Sequence, residues 1–337
     1  MWLASAFASP LASALASLGL AVVLVECAVR VLARLAPRPR LQTEAESQVF
    51  GTKARFDSSL QRPATRFLSV IIPAFNEELR ISVMLAETLN HLLTQSYTWE
   101  IILVDDGSCD DTINVACKFA KSNNLSLDQD LRILKAEANR GKGGAVALGM
   151  QCARGEYLLF VDADGATRFS DLDTLVKRLQ GAQDKDGYGV AVGSRAHMVK
   201  TEAVVKVCVV SKTLTVQRSA IRNFLMHSLH AILYVLGIQE IKDTQCGFKL
   251  VSRKAAALIF PAMHVQGWIF DIEMLLLAQN AKIPLVEVPV NWHEVGGSKV
   301  SIAIDSIRML RDLIVLRACY LLGIWVYPER PDEKKMN

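Results

Sequence analysis

From residue 67 onward the chain alternates short unbroken apolar runs with longer segments whose apolar residues recur at helical spacing. Phe67–Ile72 (FLSVII), Glu100–Val104, Leu131–Lys135, Tyr157–Val161 and Gly189–Gly193 predict strands. Glu77–Leu93, Asp111–Lys121, Gly143–Ala153 and Ser170–Leu179 predict helices. Strands that alternate with helices require right-handed crossovers, hence an α/β fold with a mostly parallel sheet covered on both faces. Ligands of such sheets bind beyond the carboxyl ends of the strands. Three expected strands end in polar loops: Pro73-Ala74-Phe75-Asn76-Glu77, Asp105-Asp106-Gly107-Ser108 and Asp162-Ala163-Asp164-Gly165. One pattern thus predicts both a fold and the place of a site.

The flanks read differently. Residues 1–25 carry no charge, and Leu11–Val25 is mostly Leu, Ala and Val, followed by Arg30, Arg34, Arg38 and Arg40. About 20 such residues span a bilayer core. Residues 1–35 are therefore expected to be a single transmembrane anchor with its basic flank in the cytosol. A cleaved signal peptide would carry its basic residues before the apolar run, not after it. Residues 36–66, polar and holding Pro37, Pro39 and Pro63, read as a basic linker. Residues 67–295 form the main domain and 296–337 an amphipathic tail. Ile221–Ile238 and Met309–Tyr327 are apolar-rich with charges spaced along one side. They read as helices lying in a membrane interface or packing on the domain. His227 and His230 lack a third ligand nearby and read as packing residues.

Composition sharpens the partner question. The formal charge is +4, from 38 basic and 34 acidic residues. Residues 26–66 hold eight basic against four acidic side chains, the whole excess, so the remainder is balanced. That argues against a broad nucleic-acid-binding face. Seven scattered cysteines without a CxxC pair fit neither a disulfide framework nor a zinc site.

Asp162 and Asp164 follow the run YLLFV, and side chains two apart in an extended segment point the same way. Two hard oxygen donors on one face suit Mg²⁺ or Mn²⁺ bridging a diphosphate. A DxD sequence alone is equally a solvated turn. Asp105 and Asp106 sit where they can accept hydrogen bonds from a base or ribose, although Asp and Gly also serve turns. Asn139-Arg140-Gly141-Lys142-Gly143-Gly144 enters a helix, and glycines with adjacent cations at a helix N-terminus favour anions. It is neither a Walker A loop nor a GxGxxG fingerprint.

In this order the pieces resemble family 2 glycosyltransferases, inverting nucleotide-sugar enzymes with a GT-A fold. The narrower resemblance is to the polyprenyl-phosphate glycosyltransferase branch. It rests on DTQCGFK (243–249), VDADGAT (161–167), VGSR (192–195), RSAIRNFLMH (218–227), FDIE (270–273) and NWHEVGGSK (291–299). The resemblance implies glucose transfer from UDP-glucose to dolichyl phosphate at the endoplasmic reticulum membrane, with the catalytic domain facing the cytosol. The product would be the lipid-linked glucose donor for protein N-glycosylation. It implies a nucleotide-sugar site of Pro73, Ala74, Asn76, Glu77, Asp105, Asp106, Lys142 and Asp162-Ala163-Asp164. Asp162 and Asp164 would hold Mg²⁺ or Mn²⁺, and with Gln245 and Asp271 would form the catalytic set, Glu273 lying nearby. Asp271 and Glu273 are also carboxylates that a helix N-terminus favours for its dipole.

A phosphate monoester carries about two charges at neutral pH, so the acceptor needs no general base. It does need cations, and Arg195, Arg218, Arg222 and Lys299 are the candidates. Arg218 and Arg222 are four apart, on one face of a helix. A GDP-mannose enzyme or a non-catalytic membrane scaffold are the alternative readings, and a homo-oligomer is left open. Physics of the acidic loop does not choose glucose over mannose; that choice comes from the resemblance.

Overall fold

The computed structural model describes residues 10–35, 48–53, 55, 60–198, 243–295 and 302–331. Seven strands form one sheet: β1 Arg66–Ala74, β2 Trp99–Asp105, β3 Leu131–Lys135, β4 Gly155–Val161, β5 Val190–Ser194, β6 Phe248–Ser252 and β7 Leu285–Pro289. Their order is β3-β2-β1-β4-β6-β5-β7. Every neighbouring pair is parallel except those of β6, which runs antiparallel to β4 and β5. The helices are α1 Pro10–Leu35, α2 Ile81–Leu92, α3 Thr112–Ser122, α4 Lys142–Gln151, α5 Leu172–Ala182, α6 Arg253–Ile259, α7 Phe270–Asn280 and α8 Ile302–Leu321.

Strand periodicity divides the core in two. Leu68, Val70 and Ile72 of β1, with Ile101 and Leu103 of β2, pack beneath α2, α3 and α5. Ile71, Ile102 and Val104 face the other way, into a cluster built by α4, α6, α7 and α8. Helices thus cover both faces, as the alternation requires. The five expected strands and four expected helices of the main domain are present, with ends shifted by a few residues.

Part of the expected linker is a piece of the domain. Val49 and Leu60 are buried in the core, Val49 pairs with Leu134 in an antiparallel bridge, and the Phe50 N–H donates to the Ile133 carbonyl at 2.9 Å. β3 is an edge strand with unpaired backbone groups, and this segment satisfies some of them. Two apolar side chains in a polar stretch are too few to read as a periodic pattern. The expected tail likewise docks: Leu313, Leu316 and Tyr320 of α8 enter the core.

Among the described residues no helix is long and apolar enough to cross a membrane, so these residues do not meet the expected transmembrane span. What α1 does present is Leu18, Leu20, Val22, Val23, Leu24, Val25 and Val31, all exposed. Its Val29 is buried against Val315 and Cys319 of α8. The described cysteines, Cys27, Cys109, Cys117, Cys152, Cys246 and Cys319, are all free thiols.

Candidate active site

The carboxyl ends of β1, β2 and β4 bring the three polar loops together, because these strands are parallel neighbours. Asn76 adopts a left-handed φ of 55°, which Asn tolerates better than most residues. Its N–H donates to Ser108 Oγ at 2.8 Å, and its Oδ1 accepts from the Cys109 N–H at 2.8 Å. The β1 and β2 loops are thereby tied to each other. Pro73 and Ala74 stand in register with Val104 and Asp105, and the Ala74 carbonyl accepts from the Asp106 N–H.

Glu77 accepts from Arg80 Nε and Nη2, both at 2.7 Å, and donates its own N–H to Thr112 Oγ1. Glu77 first, and then the charges of Asp164 and Asp162, raise the pKa of Arg80 against the effect of burial. Arg80 is therefore a cation of the acidic site. Helical spacing alone gave it no such role; the only local signal is its i+3 relation to Glu77.

Asp105 is fully buried. Its Oδ2 accepts from the Ser108 N–H at 3.2 Å, while Oδ1 is buried without a hydrogen-bond partner among the described residues. Burial raises its pKa. Asp106 does something else. Its two oxygens accept from the Arg140 and Gly141 N–H groups at 2.7 and 2.9 Å, and burial outweighs these bonds to push its pKa up to about 6. Asp106 thus holds the loop before α4, whereas it was expected to face the nucleotide.

The glycines of that loop have a packing reason. Gly141 has φ 86°, and a Cβ there would come within 2.7 Å of the Gln266 carbonyl oxygen. A Cβ on Gly143 would overlap the Phe270 side chain. The Gly144 N–H donates to the same Gln266 carbonyl at 3.1 Å. Between these glycines Lys142 projects its ammonium to 2.6 Å from Asp162 Oδ1 and 5.8 Å from the Trp268 ring centroid. Burial opposes the Lys142 charge, but Asp162 and Asp271 outweigh it and raise the pKa.

Asp162 donates its N–H to the Gly247 carbonyl at 3.1 Å, and Asp164 Oδ1 accepts from the Ala166 N–H at 3.0 Å. Burial first, and then the Asp162 charge, raise the pKa of Asp164 against Arg80 and Lys142. Two carboxylates that resist sharing their charge fit a hard divalent cation. Among the described residues no three His, Cys, Asp or Glu side chains are grouped to hold a metal. An ion at Asp162 and Asp164 would complete its shell from phosphate oxygens and water, as Mg²⁺ commonly does.

The remaining expected residues divide. Asp271, at the start of α7, is buried and accepts from Lys249 Nζ at 2.6 Å. Burial raises its pKa, with Lys249 and Lys142 opposing, so it lies within reach of the Lys142 charge. Lys249 was not among the expected site residues, and is fully buried in β6. Glu273 points away and binds the backbone of His264 and Val265. Helix geometry explains this, since residues two apart in one turn lie on nearly opposite sides. Gln245 is half-buried on the loop before β6. Arg195 is held by Asp243, with Nε–Oδ2 at 2.7 Å and Nη2–Oδ1 at 2.8 Å, so part of its expected phosphate-binding fork is already engaged. Arg218, Arg222, Lys299, His227, His230 and the segment 221–238 lie outside the described residues.

The sequence model of "Glycosyl transferase family 2" matches residues 69–256, and the chain belongs to that family. A "Dolichyl-phosphate beta-glucosyltransferase" of Saccharomyces cerevisiae (strain ATCC 204508 / S288c) is 47% identical over 77% of this chain and 76% of its own length. One of Homo sapiens is 38% identical over 98% of this chain and the whole of the other. Among solved structures, glucosyl-3-phosphoglycerate synthase from Mycobacterium tuberculosis with Mn2+, UDP-glucose and phosphoglyceric acid superposes with TM-score 0.51. It is 18% identical and covers 75% of this chain and 80% of the other, a likeness of fold.

Proposed function

We propose that this protein transfers glucose from UDP-glucose to the phosphate of dolichyl phosphate. The observation that carries the reading is the meeting of Asp162 and Asp164 with Lys142 and Arg80 at the strand ends, where two anionic substrates need opposite charges close together. The extensive identity with dolichyl-phosphate beta-glucosyltransferases supports the choice of donor and acceptor. The buried Asp105 Oδ1, without a hydrogen-bond partner among the described residues, is suited to a base N–H.

In the reaction an oxygen of the acceptor phosphate attacks the anomeric carbon, forming a new C–O bond. The bond from that carbon to the UDP oxygen breaks, and UDP leaves with the electron pair. One displacement inverts the α-linked donor to a β-linked product. The acceptor oxygen is already ionised, so no protein base is required. Lys142 and Arg80 offset charge gathering on the diphosphate, a stabilisation strongest in a site shielded from water. Asp162 and Asp164 would hold Mg²⁺ or Mn²⁺, which supplies Lewis-acid neutralisation of the leaving diphosphate.

Attachment to the endoplasmic reticulum membrane, with the domain on the cytosolic side, belongs to the same proposal. Apolar residues exposed around α1 have no stabilising partner in water, and the arginines that follow fit an anionic leaflet. Ile307, Leu310, Ile314 and Leu321 of α8, the helix on which Val29 of α1 packs, are also exposed.

The test is incubation of the full chain with dolichyl phosphate, Mg²⁺ or Mn²⁺, and radiolabelled sugar nucleotides, following label into the lipid phase. Label from UDP-glucose is expected. Label from GDP-mannose alone would overturn the donor, and an active Asp164→Ala variant would overturn the metal ligand. Absence of the chain from the membrane fraction would overturn membrane attachment.

A further inference from the structure

Glu273 is a fully buried carboxylate that the reaction above does not use. One oxygen, Oε2, accepts from the N–H groups of His264 and Val265, at 2.9 and 2.6 Å. The other, Oε1, accepts from the Tyr320 hydroxyl at 2.9 Å and lies 3.1 Å from His264 Nδ1. Tyr320 belongs to α8. Around it the His264 ring stacks on Trp325 at 4.1 Å, and the Tyr320 ring on Tyr327 at 4.4 Å. A single carboxylate therefore joins α7, the loop over residues 264–268 and α8.

That loop is the wall of the donor site. Its Gln266 carbonyl receives the Gly144 N–H at 3.1 Å and stands 2.7 Å from where a Gly141 Cβ would be. Its Trp268 ring lies 5.8 Å from Lys142 Nζ. Lys142 in turn meets Asp162 at 2.6 Å. On the same first turn of α7, Asp271 faces Lys142 and Lys249 while Glu273 faces α8. The path from α8 to the acidic pair thus runs by hydrogen bonds from Tyr320 to Glu273 and from Glu273 to the 264–268 loop, and then by the Gln266–Gly144 hydrogen bond and the Trp268 ring to Lys142.

We infer that Glu273, with Tyr320, is a positioning pair for the donor: it sets the 264–268 loop against Lys142 and so tunes affinity for the sugar nucleotide from the side of the molecule that carries the exposed apolar face of α8. The inference rests on the reading of the site as a UDP-glucose site. Tyr320 and Glu273 touch neither substrate. Their effect reaches the donor through the placing of one ammonium and one ring.

The decisive variant is Tyr320→Phe, which removes a hydroxyl and keeps the ring stack. Kinetics of glucosyl transfer in vesicles of phosphatidylcholine, phosphatidylserine and dolichyl phosphate would be paired with calorimetry of UDP binding and thermal melting. The expected result is a rise of about 5- to 10-fold in KM for UDP-glucose and in the Kd for UDP, the size of coupling found between neighbouring groups. The KM for dolichyl phosphate is expected to stay put, while the melting temperature should fall modestly because a buried carboxylate oxygen loses a donor. Lys142→Met with Tyr320→Phe should bind UDP no more weakly than Lys142→Met alone, because the path ends at Lys142. Glu273→Gln should show the same donor effect wherever it folds. An unchanged KM and Kd in Tyr320→Phe, or additive losses in the double variant, would overturn the inference. A wild-type chain that transfers no glucose and binds no UDP would instead overturn the reading of the site.

Discussion

The Asp162 carboxylate occupies the space that any side chain at position 247 would need, so a Cβ added to Gly247 would overlap it. The loop before β6 thus comes flush against the acidic loop after β4, and the Gly247 carbonyl also accepts the Asp162 N–H. Gly247→Ala must move the carboxylate or the loop. Displacing a reacting group by an ångström costs about 100-fold in rate, and a fall of that order in kcat is expected. Circular dichroism should stay native. Wild-type turnover by Gly247→Ala would contradict the close approach.

At the opposite end of the strands lies a second buried charge cluster with no part in the chemistry. Glu100, fully buried, accepts from Ser69 Oγ at 2.6 Å, Arg132 Nη1 at 2.9 Å and Arg154 Nε at 2.8 Å. Burial lowers the Arg132 pKa although Glu100 opposes this. Glu100→Ala leaves that guanidinium buried with its main anion gone, a loss of about 3–5 kcal/mol. Urea unfolding should register it, while KM for UDP-glucose in the surviving folded enzyme should not change. A KM shift would mean that the two strand ends communicate.

The contrast between these clusters shows what the chain disclosed before its structure. Asp162 and Asp164 were legible because an apolar run puts them at a strand end, and the strand–helix alternation was enough to predict a parallel sheet. Lys249 was not, because nothing local in the sequence signals its partners: Asp271, arriving from α7 at 2.6 Å, and the Cys246 carbonyl hold the buried ammonium. Asp106 was expected at the nucleotide from its place at a strand end and from the resemblance, and Glu273 near the pocket from the resemblance. Each instead secures backbone N–H groups of a loop distant in sequence, and no local pattern announces such a partner. Val49 escaped for the same reason, as its partner is an edge strand far along the chain.

Lys249 and Asp271 allow stability to be separated from activity. Lys249→Met strands a buried carboxylate whose pKa is already raised, and a cost of about 3–5 kcal/mol is expected from breaking a buried pair. Replacing both, Lys249→Met with Asp271→Leu, should recover most of that loss, since apolar substitutes for a buried pair are often neutral. Glucosyl transfer should fall in the single variant, where the buried Asp271 deprived of Lys249 takes up a proton, and stay low in the double one, where Asp271 is absent. The Lys142 charge loses its support in both. Thermal melting beside the transfer assay reads both quantities. Recovery of activity together with stability would reduce Asp271 to a packing role.

Asp106 gives a pH signature of opposite sign in stability and in binding. Its pKa is raised to about 6, so the folded state holds the proton more tightly than the unfolded chain. Its contribution to stability is then fully present below the ordinary carboxylate pKa of about 4 and is lost as pH rises through about 6. Function runs the other way. Only the ionised carboxylate accepts from both Arg140 and Gly141, and a protonated oxygen would face an N–H with its own hydrogen. As pH falls through about 6 the loop carrying Lys142 should loosen, and KM for UDP-glucose should rise. Asp106→Asn is neutral at every pH and places one N–H against another, so it should show the weak binding at all pH values. The melting temperature of the wild type relative to Asp106→Asn should climb between pH 7 and 5 while donor affinity of the wild type declines. Stability and affinity moving together across that window would mean that Asp106 does not hold the loop in its ionised form.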